Sequence, residues 1–126
     1  MTRKKRYELT KSSADKLTDA IGCKIDFKIK ELVVYLNLNK FVTFASCQGH
    51  RSHGLRYPWI DFDIKSYNGL FDFIKRHKIV GLEIKLLESG DGFVMRLQPV
   101  DKTRIKAARD IFHMLEKKLS KSFWNK

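Results

Sequence analysis

Apolar residues recur with helical spacing in several stretches of the chain and alternate in a strand-like manner in others. In the first half, this pattern predicts a short helix over Ala14–Ile21, closed by Gly22, and a stronger helix over Ile25–Leu36. One face of the stronger helix is apolar and is expected to be buried; it consists of Ile25, Ile29, Leu32, Val33 and Leu36.

Two further helices are predicted in the second half of the chain. Ser66 is suited to cap a helix from Tyr67 to about His77, and Asp101 is suited to cap the last helix. Their apolar positions repeat every three or four residues, as expected for helices with one buried face. The predicted inward-facing residues are Leu70, Phe71 and Ile74 in the first helix, and Ile105, Ala108, Phe112, Leu115 and Leu119 in the last.

Strand patterns lie between these helices. Phe41–Ala45 is an apolar run and Tyr57–Ile64 alternates between apolar and polar residues. Leu82–Leu86 and Phe93–Leu97 also alternate, and the turn Ser89–Gly92 between them predicts a tight hairpin. Pairs of strands separated by helices predict an α+β fold, with a mixed or mostly antiparallel sheet of about four strands and helices packed on it.

The composition indicates one globular domain. The chain has 126 residues, of which 43% are hydrophobic and 32% charged, as in folded rather than disordered proteins. We expect a flexible basic arm over residues 1–8 and a single α+β domain over residues 9–126. Two cysteines are too few for a disulfide framework, no apolar run is long enough to span a bilayer, and no apolar segment follows the basic N-terminus. A cytoplasmic protein without a membrane partner is expected.

The charge of the chain predicts a polyanionic partner. Twenty-six Lys and Arg residues against fourteen Asp and Glu residues give a net charge of +12, which attracts nucleic acid at a salt-dependent cost. An ordinary solvated surface is the alternative explanation for these charges. The candidate nucleic-acid-binding residues are Arg3, Lys4, Lys5 and Arg6 near the N-terminus, and Lys102, Lys106, Arg109 and Lys117 along one side of the last helix.

The first predicted strand opens into a polar, glycine-containing loop with the most reactive side chains of the chain. Such a loop presents backbone N–H groups and side-chain donors to a phosphate or carboxylate. The sequence therefore predicts a nucleotide or base pocket at Ser46–His53, with binding residues Ser46, Gln48, Gly49 and Arg51. Cys47 and His50 are candidate catalytic residues of this loop. Alternatively, Cys47 is a small residue at a tight turn.

Two other chemistries are open for the same region. Cys47, His50 and His53 are suitable zinc ligands, but a second, separated ligand pair is missing, which favours a pocket without metal. On the second predicted strand, Trp59, Asp61 and Asp63 share one face, which lies near the loop if the two strands pair. Asp61 is then a candidate catalytic carboxylate and Trp59 a candidate ligand-binding residue, whereas Asp63 is typical of surface ion pairing.

The segment from Asp26 to Gly49 resembles the wybutosine-synthesis methyltransferase family, which modifies a guanosine in tRNA. The resemblance rests on Asp26, Leu32-Val33, Leu36-Asn37, Thr43, Ser46, Cys47, Gly49 and the strand Trp59-Ile60-Asp61-Phe62. His50, followed by Arg51, replaces the arginine of the family's loop. The resemblance implies S-adenosylmethionine as cofactor, with Asp26 and Arg51 as supporting residues. The loop is also similar to Ser-Cys-x-Gly-His loops of small bacterial and phage proteins.

The sequence as a whole predicts a small basic nucleic-acid-binding protein with a nucleotide or base pocket at Ser46–His53. RNA is the favoured partner, and the resemblance adds RNA modification by an S-adenosylmethionine-dependent methyltransferase. The alternative is a non-enzymatic binding or regulatory module whose loop is structural or holds zinc.

Overall fold

The computed structural model describes residues 1–15, 27–47, 49, 55–90 and 92–125. Helices and strands follow one another in the order expected of an α+β domain, and the predicted fold class is confirmed. The elements are α1 (Arg3–Asp15), α2 (Phe27–Leu38), β1 (Thr43–Cys47), β2 (Trp59–Phe62), a 3₁₀ turn (Ile64–Ser66), α3 (Tyr67–Arg76), β3 (Leu82–Ser89), β4 (Gly92–Pro99) and α4 (Ile105–Trp124).

The strands form one antiparallel sheet in the order β1-β2-β4-β3. The predicted hairpin joins β3 to β4, with Ser89 opposite Gly92. Because successive residues of a strand point to opposite faces, the sheet has an apolar and a polar side. The apolar side carries Ile60, Phe62, Met95 and Leu97. The opposite side carries Trp59, Asp61 and Arg96.

Helices α2 and α4 pack together and share one hydrophobic core with the apolar side of the sheet. A fully buried leucine or phenylalanine contributes roughly 1.5–3 kcal/mol to such a core. The predicted stripe of α4 is confirmed from Ala108 onward, whereas Ile105 is only half-buried, and Phe123 extends the stripe; the buried residues are Ala108, Phe112, Leu115, Leu119 and Phe123. In α2 the predicted residues from Ile29 to Leu36 are buried, and Val34, Tyr35 and Leu38 are buried as well.

The first residues of the chain form a helix, so the prediction of a flexible arm over residues 1–8 is corrected. Arg6 donates from Nη2 to the carbonyl oxygen of Leu38 at 3.3 Å, and its guanidinium lies 5.3 Å from the centroid of the Phe123 ring. The Tyr7 hydroxyl donates to Glu31 at 2.9 Å. Tertiary contacts of this kind stabilise a helix whose own sequence has little apolar periodicity. Of the helix predicted over residues 14–21, residues 16–21 lie outside the described residues.

Ser66 occupies the N-cap position of α3 as predicted, but its side chain does not cap the helix, and Asp101 is not the cap of α4. Ser66 lies just before α3, but its Oγ accepts a hydrogen bond from the Val42 N–H at 3.2 Å and none from α3. Asp101 accepts hydrogen bonds from the N–H and hydroxyl of Thr103 in a local turn, and α4 begins only at Ile105. The inward face of α3 is also corrected: Phe73 is buried where Phe71 was predicted, and Phe71 is exposed.

Candidate nucleic-acid interface

The end of β1 forms a tight turn against β2. Cys47 pairs with Trp59, so the first two strands are neighbours in the sheet. The Cys47 side chain is buried, and its Sγ accepts a hydrogen bond from the N–H of Gly49 at 3.3 Å. This geometry supports the structural alternative for Cys47, a small residue closing a turn, because a buried thiol with a backbone donor is poorly placed to meet a substrate.

Ser46 lies on the other side of the sheet from Cys47. It pairs with Ile60, a core residue, and is itself buried. Since neighbouring residues of a strand point to opposite faces, the Ser46 hydroxyl faces the helices. Ser46 and Gly49 are predicted from the sequence to line one pocket; in the structure Gly49 lines the cleft described below, and Ser46 is not among the described residues of that lining.

Gly49 is the point at which three segments of the chain meet. Its φ of +90° lies in the left-handed region, and a Cβ on this residue would collide with the backbone carbonyl of Arg56. Its own carbonyl oxygen accepts a hydrogen bond from Nη2 of Arg109 at 3.1 Å. Glycine at this position therefore allows β1, the segment before β2 and α4 to approach one another closely.

A cleft of about 540 Å³ opens beside Gly49. Among the described residues, its lining holds three cations and no carboxylate; the residues are Gly49, Arg56, Ile105, Lys106 and Arg109. The cations come from two different segments, and the positive end of the α4 dipole lies in the same region. Positive charges that lie together in a concave surface produce a strong local positive potential, which attracts anions.

The structure also places the other predicted phosphate-contacting residues. Arg3, Lys4 and Lys5 are exposed in the first turn of α1, and Lys117 is exposed on α4. Lys102 precedes α4 rather than lying on it, which corrects the predicted helix stripe. Its Nζ donates to Glu83 at 3.0 Å, and this hydrogen bond is the main reason that the pKa of Glu83 is lowered. Lys102 therefore binds the sheet.

Asp61 lies on the polar side of the sheet and is bound by Arg96. The guanidinium donates from Nε to Oδ1 at 2.6 Å and from Nη2 to Oδ2 at 2.9 Å, and it covers the Trp59 ring at 4.1 Å from the centroid. The hydrogen bonds to Asp61 raise the pKa of Arg96. Trp59, predicted as a ligand-binding residue, pairs with Cys47, and Asp61, predicted as a catalytic residue, pairs with Ala45. The structure gives both side chains an internal partner, Arg96.

Several predicted site residues lie outside the described residues: Asp26, Gln48, His50, Arg51 and His53. Within residues 1–15, 27–47, 49, 55–90 and 92–125, no three His, Cys, Asp or Glu side chains form a group that could hold a metal ion. Two residues were not among the sequence candidates: Arg56, which lines the cleft, and Arg96, which binds Asp61. Arg56 could have been suspected as a basic residue flanking the loop, and Arg96 from the alternation of β4, which places it opposite Asp61.

The fold and the cleft define an α+β domain with a cationic site between β1 and α4. Comparison of the chain with models of protein families, with curated proteins and with solved structures finds no match. The resemblance to the wybutosine-synthesis family therefore stays a prediction. Over the described part of the chain, no helix has both the length and the apolar composition needed to cross a membrane.

Proposed function

We propose that the protein binds nucleic acid, RNA in preference to DNA, through the cleft beside Gly49. The observation that carries this proposal is the convergence of Arg56, Lys106 and Arg109 on one cleft of about 540 Å³ in a chain with a net charge of +12. The preference for RNA is carried over from the sequence resemblance. The cytoplasmic location also remains a prediction.

In this proposal the cleft binds the phosphate backbone. Arg56 and Lys106 are exposed and supply two cations, whereas the hydrogen bond from Arg109 to Gly49 holds the third cation at the edge of the turn. Phosphate contacts of this kind release condensed counterions, so the affinity falls with salt, with a slope of about 0.7 per phosphate neutralised on a single strand. The interaction positions the nucleic acid without itself selecting a sequence.

A pair of charge reversals on α4 tests the proposal. Lys106 and Lys118 are both exposed lysines of this helix, about 18 Å apart along its axis at 1.5 Å per residue. Lys106→Glu and Lys118→Glu change the net charge equally. A difference in RNA affinity between the two variants therefore shows the contribution of the cleft. We expect Lys106→Glu to weaken binding of a fluorescent single-stranded RNA at least tenfold more than Lys118→Glu, and to lower the salt slope by about 0.7 more. Equal losses in both variants would contradict the proposal.

Methyl transfer from S-adenosylmethionine is suggested by the sequence resemblance alone. The described residues that would take part in it have structural roles. Cys47 closes a turn, Ser46 faces the core and Asp61 is bound by Arg96. The proposal is therefore one of binding. Native mass spectrometry of the protein with S-adenosylmethionine checks this point: a retained cofactor would restore the enzymatic hypothesis.

A further inference from the structure

A second, smaller cavity lies on the other side of Arg109. It has a volume of about 100 Å³ and is partly open to solvent. Its walls are largely apolar and include Leu32, Pro58 and Phe112, whereas Arg109, His113 and Glu116 supply its polar groups. Apolar walls with a few polar groups are the usual composition of a small-molecule site.

Arg109 lines both this cavity and the cationic cleft. The cavity and the cleft are therefore separated by no more than the length of one side chain. The distance between a base and its own phosphate in a nucleotide is similar. We propose that the cavity receives a single cytosine base of an RNA strand whose phosphates bind in the cleft. This inference rests on the proposed function and adds the base that the protein selects.

The size of the cavity favours a single six-membered ring. An apolar cavity of roughly 150 Å³ accepts benzene, and the cavity here, at about 100 Å³, is open on one side, so that a ring can enter without being fully enclosed. A fused purine has a second ring and needs more room. Phe112 and Pro58 offer apolar surface against which the flat faces of a pyrimidine pack.

Glu116 distinguishes cytosine from uracil. Its side chain is 21% exposed, and the Nδ1 atom of His113 lies 3.7 Å from its Oε2. A carboxylate only accepts hydrogen bonds. Cytosine presents an amino group as a donor to it, whereas uracil presents a carbonyl oxygen at the same place. A site with a partly buried acceptor rejects the base that leaves this acceptor unpaired.

The test compares two RNAs of equal charge. One is an oligouridylate of about ten nucleotides, within the usual site size, and the other differs by one central cytidine. Binding is measured by fluorescence anisotropy for the wild type, for Glu116→Gln and for Glu88→Gln. Glu88 is an exposed glutamate on the β3–β4 hairpin, so Glu88→Gln is a control with the same change of charge. We expect the wild type and Glu88→Gln to prefer the cytidine-containing RNA about tenfold. Glu116→Gln, whose amide both donates and accepts, should lose most of this preference.

The outcomes separate the two proposals. If neither RNA binds in a salt-dependent manner, the proposed function itself fails. If both RNAs bind equally well and Lys106→Glu weakens both, the cationic cleft stands and the cytosine pocket is overturned. A preference for cytidine that survives Glu116→Gln also overturns the role of this cavity. Loss of the preference in Glu116→Gln alone supports it.

Discussion

Arg109 of α4 donates a hydrogen bond to the carbonyl oxygen of Gly49 at 3.1 Å, across 60 residues of sequence. This bond joins the two features that the sequence singled out separately, the glycine-containing loop after β1 and the basic side of the last helix. It also places Arg109 between the cationic cleft and the apolar cavity. The proposed binding site depends on this connection.

Gly49→Ala is expected to destabilise the fold strongly. Alanine is strained at the positive φ of this position, and its Cβ would also collide with the Arg56 carbonyl. Gly90→Ala is a suitable control, because Gly90 has a φ of +59° but nothing within 4 Å of an added Cβ. In urea denaturation we expect a loss of about 1 kcal/mol for Gly90→Ala and at least about 1 kcal/mol more for Gly49→Ala. Equal losses would show that the close approach at Gly49 is absent.

Asp61→Ala is expected to lower the free energy of unfolding by about 3 kcal/mol, because it leaves the Arg96 guanidinium buried without its partner. The Asp61 and Arg96 side chains are only 11% and 20% exposed. The double variant Asp61→Leu/Arg96→Met should recover most of the loss, since an apolar pair can replace a buried ion pair. An Asp61→Ala protein of unchanged stability would contradict the stabilising role of the Asp61–Arg96 pair.

Tyr7→Phe tests whether the N-terminal residues form a packed helix. The Tyr7 hydroxyl donates to both carboxylate oxygens of Glu31 at 2.9 Å, and its ring lies 5.6 Å from that of Trp124. Burial and the Glu31 hydrogen bond raise the pKa of Tyr7, so it remains a donor at neutral pH. We expect a loss of about 1 kcal/mol in thermal or urea unfolding.

Tyr67→Phe provides the matched control, because the Tyr67 hydroxyl has no hydrogen-bond partner among the described residues and should change stability little. A flexible arm over residues 1–8 would make Tyr7→Phe as neutral as this control. The same result would contradict the helix described for Arg3–Asp15.

The pH dependence of stability reports the environment of Glu116. Burial raises its pKa above the usual 4.5, with the charge of Glu31 adding to the effect and His113 opposing it. The folded protein therefore keeps this proton at pH values where the unfolded chain has lost it. Raising the pH from the pKa of Glu116 in the unfolded chain to its higher pKa in the folded protein therefore lowers the free energy of unfolding.

Glu116→Gln should remove the effect of Glu116 ionisation on the free energy of unfolding. The stability difference between Glu116→Gln and the wild type is expected to shift in favour of the variant as the pH rises from about 4 to neutrality. Urea denaturation at several pH values measures it, with Glu88→Gln as control. A difference that does not change with pH would show that Glu116 is solvated like an ordinary surface glutamate.

Apolar periodicity was sufficient to predict the main elements. Helix α4 could be predicted because Ala108, Phe112, Leu115 and Leu119 repeat at helical spacing and are all buried. The hairpin between β3 and β4 could be predicted because glycines mark its turn. Helix α1 was missed because its stability comes from contacts of Arg6 and Tyr7 with residues distant in sequence.

The candidate site could be predicted only in part. Gly49 was predicted for the loop pocket, and Lys106 and Arg109 for a separate basic side of the last helix; the structure places all three at one cleft. The roles of Ser46 and Asp61 depend on strand alternation and on the register that brings Arg96 opposite Asp61, and neither is visible in a local motif. Glu116 and its cavity were missed because the cavity forms only where α2 packs beside α4.

The most direct test of the account is to locate the bound RNA by NMR. A ¹H–¹⁵N titration with a single-stranded RNA reports each backbone amide of this 14.8 kDa protein separately. We predict the largest shifts at Gly49, Arg56 and the first two turns of α4, with small shifts in α3 and around Lys118. Large shifts confined to other surfaces, or no shifts at RNA concentrations that saturate the binding curve, would contradict a nucleic-acid site in this cleft.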